Sequence, residues 1–309
     1  MKLAFLCGAL RSGTSMTHLM LNAHPEISNP GEFDFFFDLH SEKQKEPEIG
    51  ELVDYLSEDR IFISKNLLLD TAISDYSGML HSFVEQMSTD SNILCLNIHR
   101  NFSLAYKYFP DAQFVHLIRD PRDVSRSSIG MGWSGNVYYG VDHWVATEQS
   151  WQELASEAPK EKIHELRFEE LVSEPENTLG AVCDFFGVEY KDAMLDYSQH
   201  SSYSKPDPSL INQWKTKLKP RDIELVECKA KEQMENTCYD RQFESPRGPS
   251  QVELIALNTE DIIYRQKFAI KRYGFWLYIG LRFCEIFRVT SFRKPLLARK
   301  REVDKTHLK

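Results

Sequence analysis

The chain opens on an unbroken apolar run, Leu3-Ala4-Phe5-Leu6-Cys7, closed by Gly8. A short run of this kind, ended by a turn signal, predicts a buried strand. After the loop 9–15, Met16, Leu19, Met20 and Ala23 recur at helical spacing up to His24-Pro25, which predicts a helix beginning on Thr14-Ser15. The alternation continues down the chain. Buried strands are predicted over 92–98, 112–118 and 162–168, and helices over 102–109, from Pro121 through Ser128, over 141–157 and over 169–186. Residues 26–30 read as a turn, 52–56 and 70–87 as helical pieces, and 60–64 as a short strand. Strands alternating with helices predict an α/β fold: three layers, a central parallel sheet with helices on both faces, and ligands at the carboxyl ends of its strands.

The pattern changes in the second half. Residues 190–220 are polar and loop-like, 222–234 reads as a helix, and Ser-Pro-Arg-Gly-Pro-Ser over 245–250 reads as a linker. Beyond it, 262–297 interleaves Phe275, Trp276, Tyr278, Phe283 and Phe287 with Arg272, Arg282, Arg288, Arg293 and Lys294. Two domains are expected: a catalytic domain over 1–244 and a basic, aromatic-rich helical extension over 245–309.

The first strand–loop–helix is an anion site by construction. Loop amides and the helix N-terminus present unpaired donors, and the helix dipole adds partial positive charge. Arg11 adds a full charge, and Ser12, Thr14 and Ser15 add hydroxyls. The spacing Gly8-x-x-x-x-Gly13-Thr14-Ser15 approaches the nucleotide-triphosphate P-loop. The P-loop lysine is missing, however, and the cation stands two residues before the second Gly. A loop so equipped suits a single phosphate or phosphosulfate better than a Mg²⁺-bound triphosphate. A second anion-ready turn follows the strand 112–118: Arg119 stands at its carboxyl end, Pro121 favours a first helical turn, and Ser127 lies about two turns on.

Charge refines the picture. The net charge is -9, which argues against nucleic acid as the main partner. Residues 245–309 nevertheless carry 14 Lys and Arg against 6 Asp and Glu, a local +8, leaving -17 for residues 1–244. A basic helix with an aromatic face suits an anionic membrane surface or a docking partner. The six cysteines lack metal-ligand spacing, and Cys7 and Cys95 sit in apolar runs, so small buried residues and a reducing compartment are expected. Met1 leads straight into the first strand, which predicts no signal peptide or N-terminal anchor. No run of 18 uncharged apolar residues occurs. The expected location is cytoplasmic, with peripheral membrane association through the basic segment.

These residues carry a resemblance. Arg11-Ser12-Gly13-Thr14-Ser15 with Leu21-Asn22-Ala23-His24-Pro25, then Phe109-Pro110-Asp111-Ala112 through Arg119-Asp120-Pro121-Arg122-Asp123-Val124 to Ser127, resemble sulfotransferases that use 3′-phosphoadenosine 5′-phosphosulfate (PAPS). Phe168-Glu169-Glu170-Leu171-Val172 through Asp184-Phe185-Phe186-Gly187-Val188 matches the family's following strand–helix block. The similarity covers roughly residues 2–240 and is nearest to the tyrosylprotein and glycan branch. It implies the P-loop nucleotide-kinase-like sulfotransferase fold. It also implies PAPS as co-substrate, 3′-phosphoadenosine 5′-phosphate (PAP) as product, and no required metal.

Carried over position by position, Arg11, Ser12, Gly13, Thr14 and Ser15 would hold the 5′-phosphosulfate. Arg119 and Ser127 would hold the 3′-phosphate, and Lys205, ahead of Trp214, would reach a phosphate from a closing loop. Glu32 falls where the branch has its general base, a role worth on the order of 10²–10⁴-fold. One departure stands out. The lysine that usually steadies the leaving phosphate is replaced within Asn97-Ile98-His99-Arg100-Asn101, which leaves His99, Arg100 or, from another loop, Lys65 to act. The aromatic residues over 133–139 and Trp144 offer faces for a sugar or phenol, so glycan, lipid headgroup, peptide tyrosine and small-molecule acceptors all stay open, with a hydroxyl or an amine receiving the sulfuryl group. The rival readings are a P-loop-type ATP-dependent kinase or NTPase and a non-catalytic nucleotide-binding scaffold.

Overall fold

The computed structural model describes every residue except 41–45, 71, 89, 200, 202–203, 288, 290–291 and 308–309. Arg288 of the C-terminal basic series therefore lies outside the described residues. In chain order the elements are β1 (Lys2–Gly8), α1 (Thr14–Asn22), β2 (Ile27–Glu32), α2 (Ile49–Glu58), α3 (Arg60–Lys65), α4 (Tyr76–Gln86), β3 (Ile93–Ile98) and α5 (Phe102–Tyr108). Then come β4 (Gln113–Ile118), α6 (Pro121–Gly130), α7 (Val137–Gly140), α8 (Asp142–Glu157), β5 (Ile163–Arg167), α9 (Phe168–Ser173) and α10 (Pro175–Phe186). The chain ends with α11 (Trp214–Lys217), α12 (Pro220–Lys229), α13 (Lys231–Asn236), α14 (Gln251–Tyr273), α15 (Phe275–Ile286) and α16 (Arg293–His307). The chain divides into two compact units: Met1–Asp120 with His143–Gln213, and Pro121–Asp142 with Trp214–Lys309.

The first unit is built on a five-stranded parallel sheet of order β2-β3-β1-β4-β5. Because β1 is central and buried on both faces, its sequence is a continuous apolar run rather than an alternating one. Phe5 and Cys7 face one way, joining Leu96, Ile98 and Phe114 against Leu52, Phe62, Phe83, Phe102 and Trp151 from the covering helices. Ala4 and Leu6 face the other way, with Val115 and Leu117 against Met16 and Met20 of α1 and Leu179, Val182 and Phe186 of α10. Three layers result, as the sequence predicts. Parallel pairing brings the ends of all five strands, and the turns that follow them, to one edge of the sheet. Gly8 sits at that edge, where a Cβ would stand 2.5 Å from the Leu117 carbonyl oxygen.

Several elements differ from their sequence expectation. Of residues 26–30, read as a turn, 26 is a turn and 27–30 belong to β2. The turn-forming Asn29-Pro30-Gly31 is absorbed as a register shift between Ser28 and Gly31 on an edge strand, where proline is tolerated. The Asn29 side chain satisfies this kink by accepting from the Gly31 amide (2.9 Å) and donating to Asn97 Oδ1 (3.0 Å). Residues 60–64, read as a strand, are helical. Asp59 caps them by accepting from the Phe62 amide at 2.7 Å, and this local bond overrides the β-branched composition. The single helix expected over 169–186 breaks at Glu174 (φ -134°, ψ 60°), because Pro175 excludes a helical residue before it and starts α10. The helix expected over 70–87 is confined to α4, capped by Asp75.

In the second unit, Arg122 is buried over the Trp214 ring (3.6 Å) and pairs with the buried Glu227 at 2.7 Å. Glu227 also accepts the Gln242 and Phe243 amides, each at 2.9 Å, and Asp123 accepts the Trp214 amide at 2.8 Å. Arg221 binds Glu224 and Glu253, tying α12 to the first turn of α14, which Ser250 caps. Among the described residues, no helix is long and apolar enough to cross a membrane.

Candidate active site

The loop between β1 and α1 is wound tightly. Arg11 (φ 72°) and Gly13 (φ 102°) both have left-handed backbone. A Cβ at Gly13 would stand 2.5 Å from the Phe168 ring, so glycine meets a conformational and a steric demand together. Gly13 is the N-cap of α1 and offers no side chain to its first amides, which stay available to an anion. The Ser12 hydroxyl is fully buried and has no hydrogen-bond partner among the described residues. A buried orphan hydroxyl beside helix N-terminal amides fits a phosphate or sulfate oxygen.

Arg119, at the end of β4, reaches this loop. Its Nη1 donates to the Arg11 carbonyl (3.1 Å), its Nη2 to the Leu210 carbonyl (2.9 Å), and its guanidinium lies 4.1 Å from the centre of the Phe168 ring. Phe168 therefore packs under both Gly13 and Arg119. Trp144, expected to offer a face to an acceptor, is instead fully buried, with its indole N–H donating to the Arg119 carbonyl at 2.9 Å. Its large apolar area is spent on the core and on fixing the strand end.

On the other side of β1, His99 follows β3. Its Nδ1–H donates to Asp34 Oδ2 at 2.6 Å and its amide donates to Asp34 Oδ1 at 2.8 Å. The Thr147 hydroxyl binds the His99 carbonyl at 2.8 Å, and Nε2 stands 3.4 Å from Thr14 Oγ1 at the head of α1. Burial alone would lower the His99 pKa, but the Asp34 carboxylate outweighs it and holds the ring above its ordinary 6.5. Burial likewise pushes Asp34 up, and His99 and Arg100 more than reverse this, leaving it below the usual carboxylate range. Arg100 is half exposed: it forks Asp38 through Nε at 2.7 Å and Nη2 at 2.8 Å, and its Nη1 stands 4.0 Å from Asp34 Oδ1.

Glu32 ends β2 beside Asn97 of β3 and acts electrostatically on His99, His18 and Lys65. Lys65 Nζ binds the Pro30 carbonyl, and burial lowers its pKa against the pull of Glu32. His18 shares a hydrogen bond with Asn29 Oδ1 (3.0 Å), and its pKa is lowered by burial. From a Cβ built at Gly31, Lys65 Nζ would be 3.5 Å away and His18 Cε1 3.7 Å, so both converge on the backbone just before Glu32. Lys205 is exposed on the loop after 192–199, and Ser127 lies half-buried on α6 in the second unit.

Sequence reasoning named Arg11, Glu32, His99 and Arg119 and missed Asp34 and His18. Asp34 sits in an apolar stretch 65 residues from its partner, and a pairing at that separation leaves no local spacing to read. His18 is one of several polar positions on α1, so nothing in its local pattern marked it out.

With this geometry in view, comparison with known proteins supplies the class. The model of the "Sulfotransferase family" matches residues 4–192, and the chain belongs to that family. Protein-tyrosine sulfotransferase 1 of Danio rerio is 24% identical over 208 residues, covering 64% of this chain and 57% of that protein. Protein-tyrosine sulfotransferase 2 of Gallus gallus is 22% identical over 209 residues, covering 64% and 54%. The chain thus spans little more than half the length of these relatives. In fold it is similar to the sulfotransferase domain of the Synechococcus PCC 7002 olefin synthase (TM-score 0.62, 18% identity, 78% of this chain and 95% of that one). It is also similar to the sulfotransferase domain from the curacin biosynthetic pathway (TM-score 0.57, 18% identity, 77% and 98%).

Proposed function

We propose that the protein transfers a sulfuryl group from PAPS to an acceptor hydroxyl, with residues 1–244 as the catalytic domain. The observation that carries this is the gathering, at one edge of one sheet, of an anion loop with an orphan buried hydroxyl, a carboxylate at a strand end and a buried imidazole beside the loop.

PAPS would supply the activated sulfuryl group and a phosphate leaving oxygen. Arg11, the loop amides and the hydroxyls of Ser12, Thr14 and Ser15 would hold the 5′ end, and Arg119 the 3′-phosphate. As the acceptor oxygen bonds to sulfur and the bond from sulfur to the phosphate oxygen breaks, Glu32 takes the acceptor proton. His99, oriented by Asp34 and with its pKa raised by that carboxylate, would take the place of the family lysine toward the oxygen on which charge develops. Arg100, engaged with Asp38, has no part in it. The relatives' names favour a peptide tyrosine as acceptor, and the chain 245–309 would contribute contact with a membrane surface.

The test is a thermal-shift comparison followed by transfer of labelled sulfate. PAP should stabilise the protein without added Mg²⁺, and labelled sulfate should move from PAPS into a tyrosine-containing acidic peptide. Stabilisation by Mg²⁺-ATP but not by PAP would overturn the reading in favour of a kinase.

A further inference from the structure

The second unit leaves an apolar surface of unusual regularity. On α15, Trp276 is 83% exposed, Ile279 42%, Phe283 52% and Ile286 66%. Steps of three, four and three residues put all four on one face of the helix. Phe275 and Phe287 extend the same surface and are exposed as well. This helix is not loosely attached. Its other side is spent on packing, with Leu277 and Cys284 buried and Gly280 close against Leu296 of α16. The exposed stripe is what remains after α15 has docked. An isolated exposed Leu or Ile needs no explanation, but a stripe of aromatic and branched side chains over nearly three turns does.

Next to it in the chain, the end of α14 lines a cavity of about 580 Å³ with Met131, Tyr264, Phe268, Lys267, Lys271 and Arg272. Arg272 is nearly buried and paired with Asp304 at 3.4 Å, but Lys267 and Lys271 among apolar walls suit a molecule that is anionic at one end and greasy at the other. Six further cations lie on α16: Arg293, Lys294, Arg299, Lys300, Arg301 and Lys305.

We propose that α14–α16 form a docking surface for an anionic lipid bilayer, with the α15 stripe entering the headgroup–acyl boundary and Lys267 and Lys271 receiving a phospholipid headgroup. A second copy of the chain is the poorer occupant. Stripe-to-stripe pairing would bring two segments of charge +8 together, whereas an anionic leaflet complements that charge. Basic residues flanking Trp and Phe on a helix too short and too charged to span are the pattern of interfacial binding. The surface deepens the membrane contact proposed above, and its test does not depend on the chemistry at Arg11.

The experiment uses the full chain and phosphatidylcholine vesicles with or without phosphatidylserine. Co-sedimentation should require phosphatidylserine and weaken as salt rises. Both Trp276→Ser/Phe283→Ser and Lys267→Glu/Lys271→Glu should lower partitioning by more than roughly tenfold. All four side chains can change without emptying the core of the first unit, and unchanged stabilisation by PAP verifies that fold. Tryptophan quenching by brominated acyl chains should drop in Trp276→Phe. Equal binding to neutral vesicles, or binding indifferent to both variants, overturns the proposal. So does a concentration-dependent dimer that Trp276→Ser/Phe283→Ser dissolves while wild-type protein ignores vesicles. Loss of PAP stabilisation in the wild type would count against the sulfotransferase reading alone.

Discussion

Asp34 accepts from His99 twice, through the ring Nδ1 at 2.6 Å and through the backbone amide at 2.8 Å. One carboxylate thus fixes both the direction of the ring and the position of the residue that follows β3. Because His99 titrates above its ordinary 6.5, its contribution to stability is complete below pH 6.5 and is lost as pH rises through its raised value. Because Asp34 titrates below its ordinary 3.8, its contribution is complete above pH 3.8 and is lost as pH falls through its lowered value. The pair is therefore at full strength between about pH 3.8 and 6.5. Asp34→Ala should cost about 3–5 kcal/mol within that window, as expected on orphaning a buried partner. Thermal unfolding of both proteins across pH should show the gap shrinking toward alkaline pH; a gap independent of pH would dissolve the pairing.

Glu32→Gln separates chemistry from binding. The amide keeps the size of the side chain at the end of β2 but cannot accept a proton. Turnover should fall by about 10²–10⁴-fold, while PAP continues to raise the melting temperature. Lys65 and His18, whose pKa values are both lowered by burial, crowd the same strand end. If either took over as base, the residual activity of Glu32→Gln would follow its titration, and a pH profile of the variant would reveal it.

What could be read from the chain beforehand follows from how local each determinant is. The buried strands β1, β3 and β4 announce themselves as apolar runs, and the anion loop announces itself through glycine spacing and hydroxyls, because their causes lie within a few residues. Residues 26–30 deceived because Asn29, Pro30 and Gly31 are turn formers. What makes them a strand is the Asn29 side chain bonding Asn97 across the sheet, at a separation of 68 residues. The same distance in sequence hid Asp34. Arg122 and Glu227 behave alike: Arg122 stood in a motif that reads as anion-ready, yet its guanidinium is consumed 105 residues away.

Gly13→Ala tests the loop without touching a charge. The left-handed φ of 102° costs a non-glycine residue about 1–2 kcal/mol. The added methyl also meets the Phe168 ring, on which Arg119 stacks. The variant should melt lower and bind PAP more weakly than wild type. Unchanged PAP affinity would mean that Phe168 yields without disturbing either anion-binding turn.

Glu227 holds the second unit together by accepting from Arg122 and from two backbone amides while itself fully buried. Glu227→Ala would leave a buried guanidinium and two amides without their acceptor, a loss of about 3–5 kcal/mol. Urea unfolding should register it as a fall in midpoint. Arg100→Ala should cost less than Glu227→Ala, because Arg100 is half exposed although its partners Asp38 and Asp34 are largely buried.

His99 and Arg100 are adjacent in the chain and opposite in environment, which makes them a direct test of which cation serves the leaving phosphate. His99 is buried with Nε2 facing Thr14, whereas Arg100 is half exposed and occupied by Asp38. His99→Gln should reduce turnover by about 10²–10³-fold, the usual consequence of removing one preorganised donor. Arg100→Ala should leave turnover within about threefold of wild type, under about 1 kcal/mol of barrier, because its guanidinium is held by Asp38 and Asp34. His99→Lys restores the charge the family normally carries, and should recover part of the activity while moving the alkaline limb of the rate profile upward. That limb is the decisive readout: a purely structural role for His99 would leave its position unchanged in every variant that folds. If Arg100→Ala proved the crippling change instead, the cation would have to swing from Asp38 to the anion loop, and Asp38→Ala should then accelerate the reaction.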